Sequence, residues 1–273
     1  MQQAGRRVKG FGEHCPAARA GRCSGAVIRL SVNVNKVATL RNSRGGAIPD
    51  PLEAARVAVE AGADGITVHP REDRRHIRPD DVHRLARFLA PMRGRVELNI
   101  EGDPRPEVVA LWCEVRPDQA TLVPVQPGEI TSSAGWSPRT DVAHMRALLA
   151  DLGARGIRTS VFIEPDPAAV DWAAEVGADR VELYTGPFAR AFQTDPARAR
   201  EVFDRYVSAA HHAHARGLGV NAGHDLDRAN LGLFRTLPHL CEVSIGHALI
   251  ADAVFLGLDR AVRAYLAALG REA

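Results

Sequence analysis

Short apolar runs alternate with amphipathic stretches along the chain from Val27 onward, and this alternation restricts the fold more than any other feature. A short apolar run bounded by turn residues is typical of a buried parallel strand, and an amphipathic stretch after it is typical of a covering helix. Eight such units follow one another. The candidate strands are Ile28–Val34, Gly65–His69, Val96–Glu101, Gln119–Val123, Arg158–Ile163, Arg180–Tyr184, Gly219–Ala222 and Glu242–Ile245.

Proline and glycine mark the ends of the candidate helices. Pro51 opens a helical segment that stops before Gly62, and Pro104 and Pro106 open another that runs to Val115. Related phrases place glycine where a left-handed helix end leads into the next strand, and they are AGADG at 61–65, ARGI at 154–157 and VGAD at 176–179. This repetition predicts repeated strand–helix units.

Eight units in 273 residues predict a (β/α)8 TIM barrel with extra helices, formed by residues 27–273 as a single catalytic domain. The stretch 196–216 is long for one crossover, so we expect an added helix there and a possible oligomer contact. The alternative is an open doubly wound sheet, but no glycine-rich phosphate loop follows the first strand. Residues 1–26 are rich in Arg, Gly and Ala, which favours a disordered tail and also suits a transit peptide.

Composition limits the classes of partner. The formal net charge of +2 gives no general attraction to nucleic acid, and no apolar run is long enough to span a membrane or serve as a secretory signal. The four cysteines show neither a metal-ligand spacing nor a small-domain disulfide framework. We therefore expect a disulfide-free protein in the reducing cytoplasm.

Polar residues stand at the ends of the candidate strands, where (β/α)8 barrels place their active sites. Two histidines, His69 and His224, and two carboxylates, Glu101 and Glu182, belong to this group. Such groups can transfer protons near neutral pH, so the mouth of the barrel is predicted to carry general acid-base chemistry. The remaining polar strand-end residues are Asn33, Asn35, Arg71, Thr131, Asn221, Gly246 and His247.

Two segments are candidates for anion binding. Arg41 and Arg44 follow the first strand in a loop that ends in glycine, and such a loop could fold arginines over an anion or could be a solvated basic loop. The segment 244–248, SIGHA, offers backbone amides at a helix start near the last strand. Two anion sites suggest two phosphates.

A metal centre is not expected. His69 and His76 lie in one histidine-containing segment, but the first strand ends in Asn33-Val34-Asn35 and not in a His-x-His pair.

Four motifs together resemble the pyridoxine 5'-phosphate synthase family. They are SVNVNKVATLRNSRG at 31–45, GITVHPREDRRHI at 65–77, VNAGH at 220–224 and IGHA at 245–248. The resemblance extends from Leu30 to the last helix. It implies an enzyme that condenses 1-deoxy-D-xylulose 5-phosphate with 3-amino-2-oxopropyl phosphate to pyridoxine 5'-phosphate, phosphate and water, with no metal or redox cofactor. It also implies a homo-octamer built from dimers.

The same resemblance assigns roles to individual residues. His69 and Glu101 resemble the proton acceptors, His224 the proton donor, and Glu182 a group that stabilises charged intermediates. The implied ligands of the amino-ketone phosphate are Asn33, Arg44, Asp225, Gly246 and His247. The implied ligands of deoxyxylulose phosphate are Asn35, Lys36, Arg71, His76 and Thr131.

Some positions depart from the family pattern and keep alternatives open. Asn35-Lys36 replaces the better-known Asp-His, and Tyr184 stands where some members have His. Val125 and Gln126 replace a charged pair. Lys36 is the only lysine beyond the first 26 residues, so a Schiff-base aldolase is one alternative. A non-catalytic phosphate sensor is another, although retention of His69, Glu101, Glu182 and His224 argues against it.

Overall fold

A closed barrel of parallel strands forms the centre of the molecule. The computed structural model describes residues 27–124 and 134–271. The strands run around the barrel in sequence order and β8 pairs with β1, which confirms the closed barrel and excludes the open sheet. They are β1 (Arg29–Asn33), β2 (Gly65–Val68), β3 (Glu97–Gly102), β4 (Gln119–Leu122), β5 (Arg158–Ile163), β6 (Arg180–Tyr184), β7 (Gly219–Gly223) and β8 (Leu240–Ile245). Each predicted strand matches an observed one within two residues at either end.

Helices surround the barrel and cover its outer face. They are α1 (Asn35–Asn42), α2 (Pro51–Glu60), α3 (Pro79–Leu89), α4 (Pro106–Val115), α5 (Val142–Ala154), α6 (Pro167–Glu175), α7 (Gly186–Thr194), α8 (Pro196–Ala215), α9 (Leu231–Phe234), α10 (His247–Leu256) and α11 (Leu258–Ala268). Both α7 and α8 lie between β6 and β7, which confirms the added helix predicted there. No helix in the described part of the chain is long and apolar enough to cross a membrane.

Aspartate followed by proline begins three of these helices. Proline occupies the first turn, where a backbone N–H would have no helical partner, and the aspartate side chain accepts from N–H groups of the same turn. The pairs are Asp50-Pro51, Asp166-Pro167 and Asp195-Pro196. At the opposite ends, Gly156 and Gly177 have φ values of +79° and +80°, which confirms the left-handed helix ends predicted from the repeated phrases.

A second set of aspartates links neighbouring strands by hydrogen bonds at the base of the barrel. An aspartate just before each of three strands accepts a hydrogen bond from a backbone N–H near the start of the preceding strand. The pairs are Asp64 with Leu30, Asp118 with Leu98, and Asp179 with Thr159. These bonds fix strand register at the end of the barrel opposite the predicted active site.

The two faces of the barrel wall differ in polarity. Outward side chains such as Val32, Ile100 and Val243 are fully buried beneath the helices. Inward side chains are mostly polar, although a barrel interior is commonly filled by branched apolar residues. In the middle of the barrel they bond to one another, as Ser31 Oγ does to Thr67 Oγ1 at 2.6 Å. The polar pattern inside the barrel therefore continues up to its mouth.

The cysteines differ in part from the expectation. Cys113 is a half-buried free thiol, whereas Cys241 on β8 is buried and disulfide-bonded. The prediction of a fold without disulfides is therefore wrong for Cys241. A disulfide requires Cα atoms within about 7 Å, and spacing along the sequence does not reveal such proximity.

Candidate active site

One cavity opens at the carboxyl ends of the strands. It contains about 910 Å³ of empty space, part of it open to solvent. Twelve of the fourteen residues predicted for the site line it, and they are Asn33, Asn35, Lys36, His69, Arg71, His76, Glu101, Glu182, His224, Asp225, Gly246 and His247. Parallel strands end at one edge, so the closed barrel brings these distant parts of the sequence together.

Two predicted residues are not among the lining residues. Arg44 is exposed on the turn after α1, and Thr131 lies outside the described residues. The structure also corrects the role of Arg41, which the sequence analysis grouped with Arg44 as a candidate anion ligand. Its guanidinium is buried and forms two hydrogen bonds with Asp81, at 2.6 and 2.8 Å. Arg41 lies on helix α1 and not in a loop, so it faces α3.

The predicted position of Asn221 is also corrected by the structure. The sequence grouped it with the strand-end residues, but it lies inside β7, below the cavity. Its Oδ1 accepts from Arg180 at 3.2 Å, and its Nδ2 donates to Glu242 at 3.4 Å. β7 extends to Gly223, and His224, directly after the strand, is the first residue of this segment that lines the cavity.

His69 and Glu101 form the closest acid-base pair in the cavity. His69 Nδ1 lies 3.5 Å from Glu101 Oε2, and both side chains are buried. The backbone N–H of His69 donates to Asn35 Oδ1 at 2.9 Å, and the N–H of Asn35 donates to Asn33 Oδ1 at 3.0 Å. These amides fix the end of β2 against the end of β1. An imidazole beside a carboxylate can take up and return a proton.

Glu182 occupies the centre of the barrel mouth. Its side chain is 2% exposed, and burial raises its pKa well above 4.5, with the neighbouring carboxylates Glu101 and Glu242 adding to the rise. Glu182 Oε1 lies only 2.3 Å from the place that a Cβ on Gly223 would take, so Gly223 leaves the room that this carboxyl uses. A carboxyl group that keeps its proton can donate a hydrogen bond.

His224 is held by a strained backbone and an aromatic contact. Its φ is +75° and that of Asp225 is +52°, a left-handed conformation that non-glycine residues rarely adopt and that is common at functional sites. Its ring lies 4.9 Å from Phe162 and 5.8 Å from Tyr184, measured between centroids. Thr185 Oγ1 donates to the carbonyls of Gly223 and His224. The histidine is thus fixed over the cavity.

A cationic cluster of Lys36, Arg71 and His76 lines one side of the cavity. Burial, with a smaller contribution from Lys36 and Arg71, lowers the pKa of His76 to about 4 against the opposing effect of Asp73. His76 Nδ1 is buried and has no hydrogen-bond partner among the described residues. An anion placed here would be attracted by two fixed cations.

The start of α10 also lines the cavity, beside the end of β1. Gly246 precedes this ten-residue helix, and no side chain caps its first turn. A Cβ at Gly246 would lie 3.1 Å from Asn33 Cβ, so glycine allows the chain to pass close to β1. Uncapped N–H groups at a helix start favour an anion.

Five further residues line the cavity, namely Tyr184, Leu226, Ser244, Ile245 and Ala248. The last three belong to the predicted anion-binding segment 244–248 without an individual role, whereas Tyr184 and Leu226 were not predicted for the site. Ser244 has a buried hydroxyl without a hydrogen-bond partner in the described chain. Period-two alternation from Glu242 could have identified it, because Ser244 is the next inward position on β8. Tyr184 follows Glu182 on β6 in the same way. No group of three or more His, Cys, Asp or Glu side chains in the described ranges is arranged to hold a metal ion.

The comparisons with known proteins agree on one family. Residues 30–271 match the family model described as pyridoxal phosphate biosynthesis protein PdxJ. The chain belongs to this family. A pyridoxine 5'-phosphate synthase from Porphyromonas gingivalis is 52% identical over 238 residues, which cover 87% of this chain and 97% of that protein. One from Leptospira biflexa is 46% identical over 251 residues, covering 88% and 96%.

Solved structures of low identity share only the fold. Phosphoribosyl anthranilate isomerase from Thermus thermophilus gives a TM-score of 0.54 at 19% identity and covers 89% of this chain and 98% of its own. The YdjI aldolase from Escherichia coli K12 gives 0.56 at 14% identity and covers 89% of both chains.

Proposed function

We propose that this chain is a pyridoxine 5'-phosphate synthase that condenses 1-deoxy-D-xylulose 5-phosphate with 3-amino-2-oxopropyl phosphate. The observation that carries the proposal is one cavity in which His69, Glu101, Glu182 and His224 lie with a cationic cluster and an uncapped helix start. This arrangement suits proton transfers on substrates that carry phosphate groups. The names of the relatives give the product, and the family resemblance gives the two substrates.

The two phosphates would occupy different parts of the cavity. Deoxyxylulose phosphate fits the cluster of Lys36, Arg71 and His76, with Asn35 and the predicted Thr131 as further ligands. The amino-ketone phosphate fits the start of α10 at Gly246 and His247, with Asn33, Asp225 and the predicted Arg44. The positive charge of Lys36 and Arg71 supports the first assignment, and the uncapped N–H groups at the start of α10 support the second.

The acid-base groups divide the proton transfers. The substrate amine condenses with a ketone, and the later deprotonation, dehydration and ring-closing steps each need an acid or a base at a different atom. His69 and Glu101, 3.5 Å apart, would accept protons together. His224 would donate a proton from the opposite side. Glu182, whose raised pKa favours the neutral carboxyl, would hydrogen-bond to the intermediates.

The direct test is turnover. We expect metal-stripped protein given both substrates to form pyridoxine 5'-phosphate, detected by mass and fluorescence, and His224→Ala to reduce the rate by at least about 100-fold. His144→Ala, an exposed histidine on α5, is the matched control and should retain the wild-type rate. Folded protein that binds both substrates and yields no product would contradict the proposal.

The aldolase alternative has one observation in its favour, since Lys36 lines the cavity. A Schiff-base enzyme would form an imine on Lys36, which borohydride reduces to a stable adduct. In the proposed reaction the imine joins the two substrates, so borohydride should fix no substrate carbon to the protein. Intact-protein mass spectrometry separates the two. Binding without product or adduct would favour the phosphate sensor.

The family resemblance also predicts a homo-octamer in the cytoplasm. We propose the octamer as the assembled state, with α8 as one candidate contact surface. Light scattering coupled to size-exclusion chromatography measures the mass, and a monomer at micromolar concentration would contradict this prediction.

A further inference from the structure

We propose that Asn42 is a positioning residue that holds the loop between β2 and α3 against α1 and so keeps Lys36 and His76 at one anion site. This inference rests on the proposed function of the cavity. Asn42 is the last residue of α1, does not line the cavity, and carries no role in the family resemblance.

The side-chain amide of Asn42 fastens the loop by its donor side. Asn42 Nδ2 lies 3.2 Å from the carbonyl of Arg74, 3.0 Å from that of Arg75 and 2.7 Å from that of His76. Arg74 has a φ of +50°, a conformation that bends the loop towards α1. One amide group therefore serves three consecutive carbonyls.

The carbonyl oxygen of the same side-chain amide is also held by hydrogen bonds. Asn42 Oδ1 accepts from Arg41 Nε at 3.0 Å and from Arg78 Nη2 at 2.9 Å. Arg41 in turn pairs with Asp81 on α3, and Asp81 accepts from the backbone N–H of Arg78 at 2.9 Å. The two arginines leave the amide one orientation, in which the NH₂ group faces the loop.

This frame connects two elements that both contribute to the cationic cluster. Lys36 lies on α1, whereas Arg71 and His76 lie on the loop that Asn42 fastens. Among the neighbouring cations, Lys36 lowers the pKa of His76 the most, so the two side chains are close enough to interact electrostatically. A cation cluster built from two elements keeps its geometry only if the elements are fixed to each other, because like charges repel. Asn42 supplies that fixation.

Asn42→Asp is the sharpest variant because it keeps the acceptor for both arginines and replaces the donor by an oxygen facing three carbonyls. We expect the Kd of inorganic phosphate, measured by calorimetry on the whole protein, to rise about tenfold, because the released loop no longer holds Arg71 and His76 beside Lys36. Asn42→Ala should act in the same direction. Ser43→Ala is the matched control, since within the described residues the Ser43 hydroxyl donates only to the Leu40 carbonyl, and the change should leave Kd unchanged.

Two further measurements separate positioning from general stability. The His76 titration, followed by nuclear magnetic resonance, should move from a pKa of about 4 towards 6.5 when the loop is released into water. In turnover, KM for deoxyxylulose phosphate should rise about tenfold while KM for the amino-ketone phosphate stays within twofold.

The outcomes are distinct from those that test the proposed function. Asn42→Asp with a lower Tm, an unchanged phosphate Kd and an unchanged His76 titration would overturn the positioning role. Phosphate binding and the His76 titration need no turnover. If the wild-type protein made no pyridoxine 5'-phosphate but the variant lost phosphate affinity and shifted His76, the synthase proposal would fail and the positioning role would stand.

Discussion

Two glutamates inside one barrel have opposite environments. Glu97, at the base, accepts from the guanidinium groups of Arg29 and Arg158, and these arginines lower its pKa to about 2 against the effect of burial. Glu182, at the mouth, has carboxylates as its charged neighbours, and its pKa is raised. The same fold stabilises one carboxylate as an ion and disfavours ionisation of the other.

The difference shows where this fold places stability and where it places chemistry. At the base, Glu97 is compensated within the protein by Arg29 and Arg158, and Arg158 also donates to Gln119 at 2.9 Å. At the mouth, the uncompensated Glu182 and the buried Ser244 hydroxyl would gain partners from a bound ligand. Groups poised in this way are common at active sites and cost stability.

The largest expected effect is the loss of stability on breaking the base. Glu97→Gln leaves two largely buried arginines without their carboxylate, and we expect the free energy of unfolding to fall by roughly 3 kcal/mol. Glu182→Gln replaces a buried carboxyl that resists ionisation by a neutral isostere, so the free energy of unfolding at pH 7 should stay the same or rise. Urea denaturation at pH 7 measures both.

The same two variants should rank in the reverse order for loss of activity. Glu182→Gln should lower kcat, whereas folded Glu97→Gln should keep it within about threefold. Equal losses of stability in the two variants would remove the distinction between base and mouth.

The pH dependence of stability sharpens the comparison. The lowered pKa of Glu97 stabilises the fold above pH 4.5, and that contribution is lost as the pH falls from 4.5 to about 2. The raised pKa of Glu182 acts oppositely, because stability present below pH 4.5 is lost as the pH rises through the raised value. Thermal melts should therefore show a flatter acid limb for Glu97→Gln and a smaller loss above pH 4.5 for Glu182→Gln. Parallel limbs in both variants and the wild type would contradict these assignments.

Gly223→Ala tests whether Glu182 needs its present position. The added methyl would lie 2.3 Å from Glu182 Oε1, so the carboxyl must rotate. We expect kcat to fall about tenfold with a stability loss of about 1–3 kcal/mol. Gly232→Ala on α9 is the control, because a Cβ there meets nothing within 4 Å and alanine suits a helix. An unchanged kcat would mean that Glu182 acts from another position or does not act.

The strands and most of the site could be predicted because each depends on local pattern. Apolar runs and glycine-ended helices gave strand positions, and parallel strands necessarily bring their carboxyl ends together. Asn221 was misplaced because a strand end is uncertain by one or two residues, and one inward step separates the mouth from the base. Arg41 was misplaced because α1 begins directly after β1, where the sequence suggested a loop.

Other features depend on contacts that no local pattern contains. The pairing of Glu97 with Arg29 and Arg158 joins residues 68 and 61 positions apart. The frame around Asn42 likewise joins segments distant in the sequence. Only the closed barrel determines which of two similar glutamates lies beside arginine and which beside another carboxylate.

The smallest expected effect is that of Tyr184→Phe. This variant separates the contribution of the Tyr184 hydroxyl to the kinetics from that of its ring. Arg190 Nη1 donates a long hydrogen bond of 3.4 Å to the phenol oxygen, while the ring meets His224 edge-on. Removing the hydroxyl keeps the ring contact, so we expect kcat and KM to stay within about twofold. Tyr184→Ala removes the ring and should lower kcat by about tenfold, because His224 loses one of its two aromatic neighbours. Steady-state kinetics on both variants make the comparison, and a large loss in Tyr184→Phe would give the hydroxyl a direct part in the reaction.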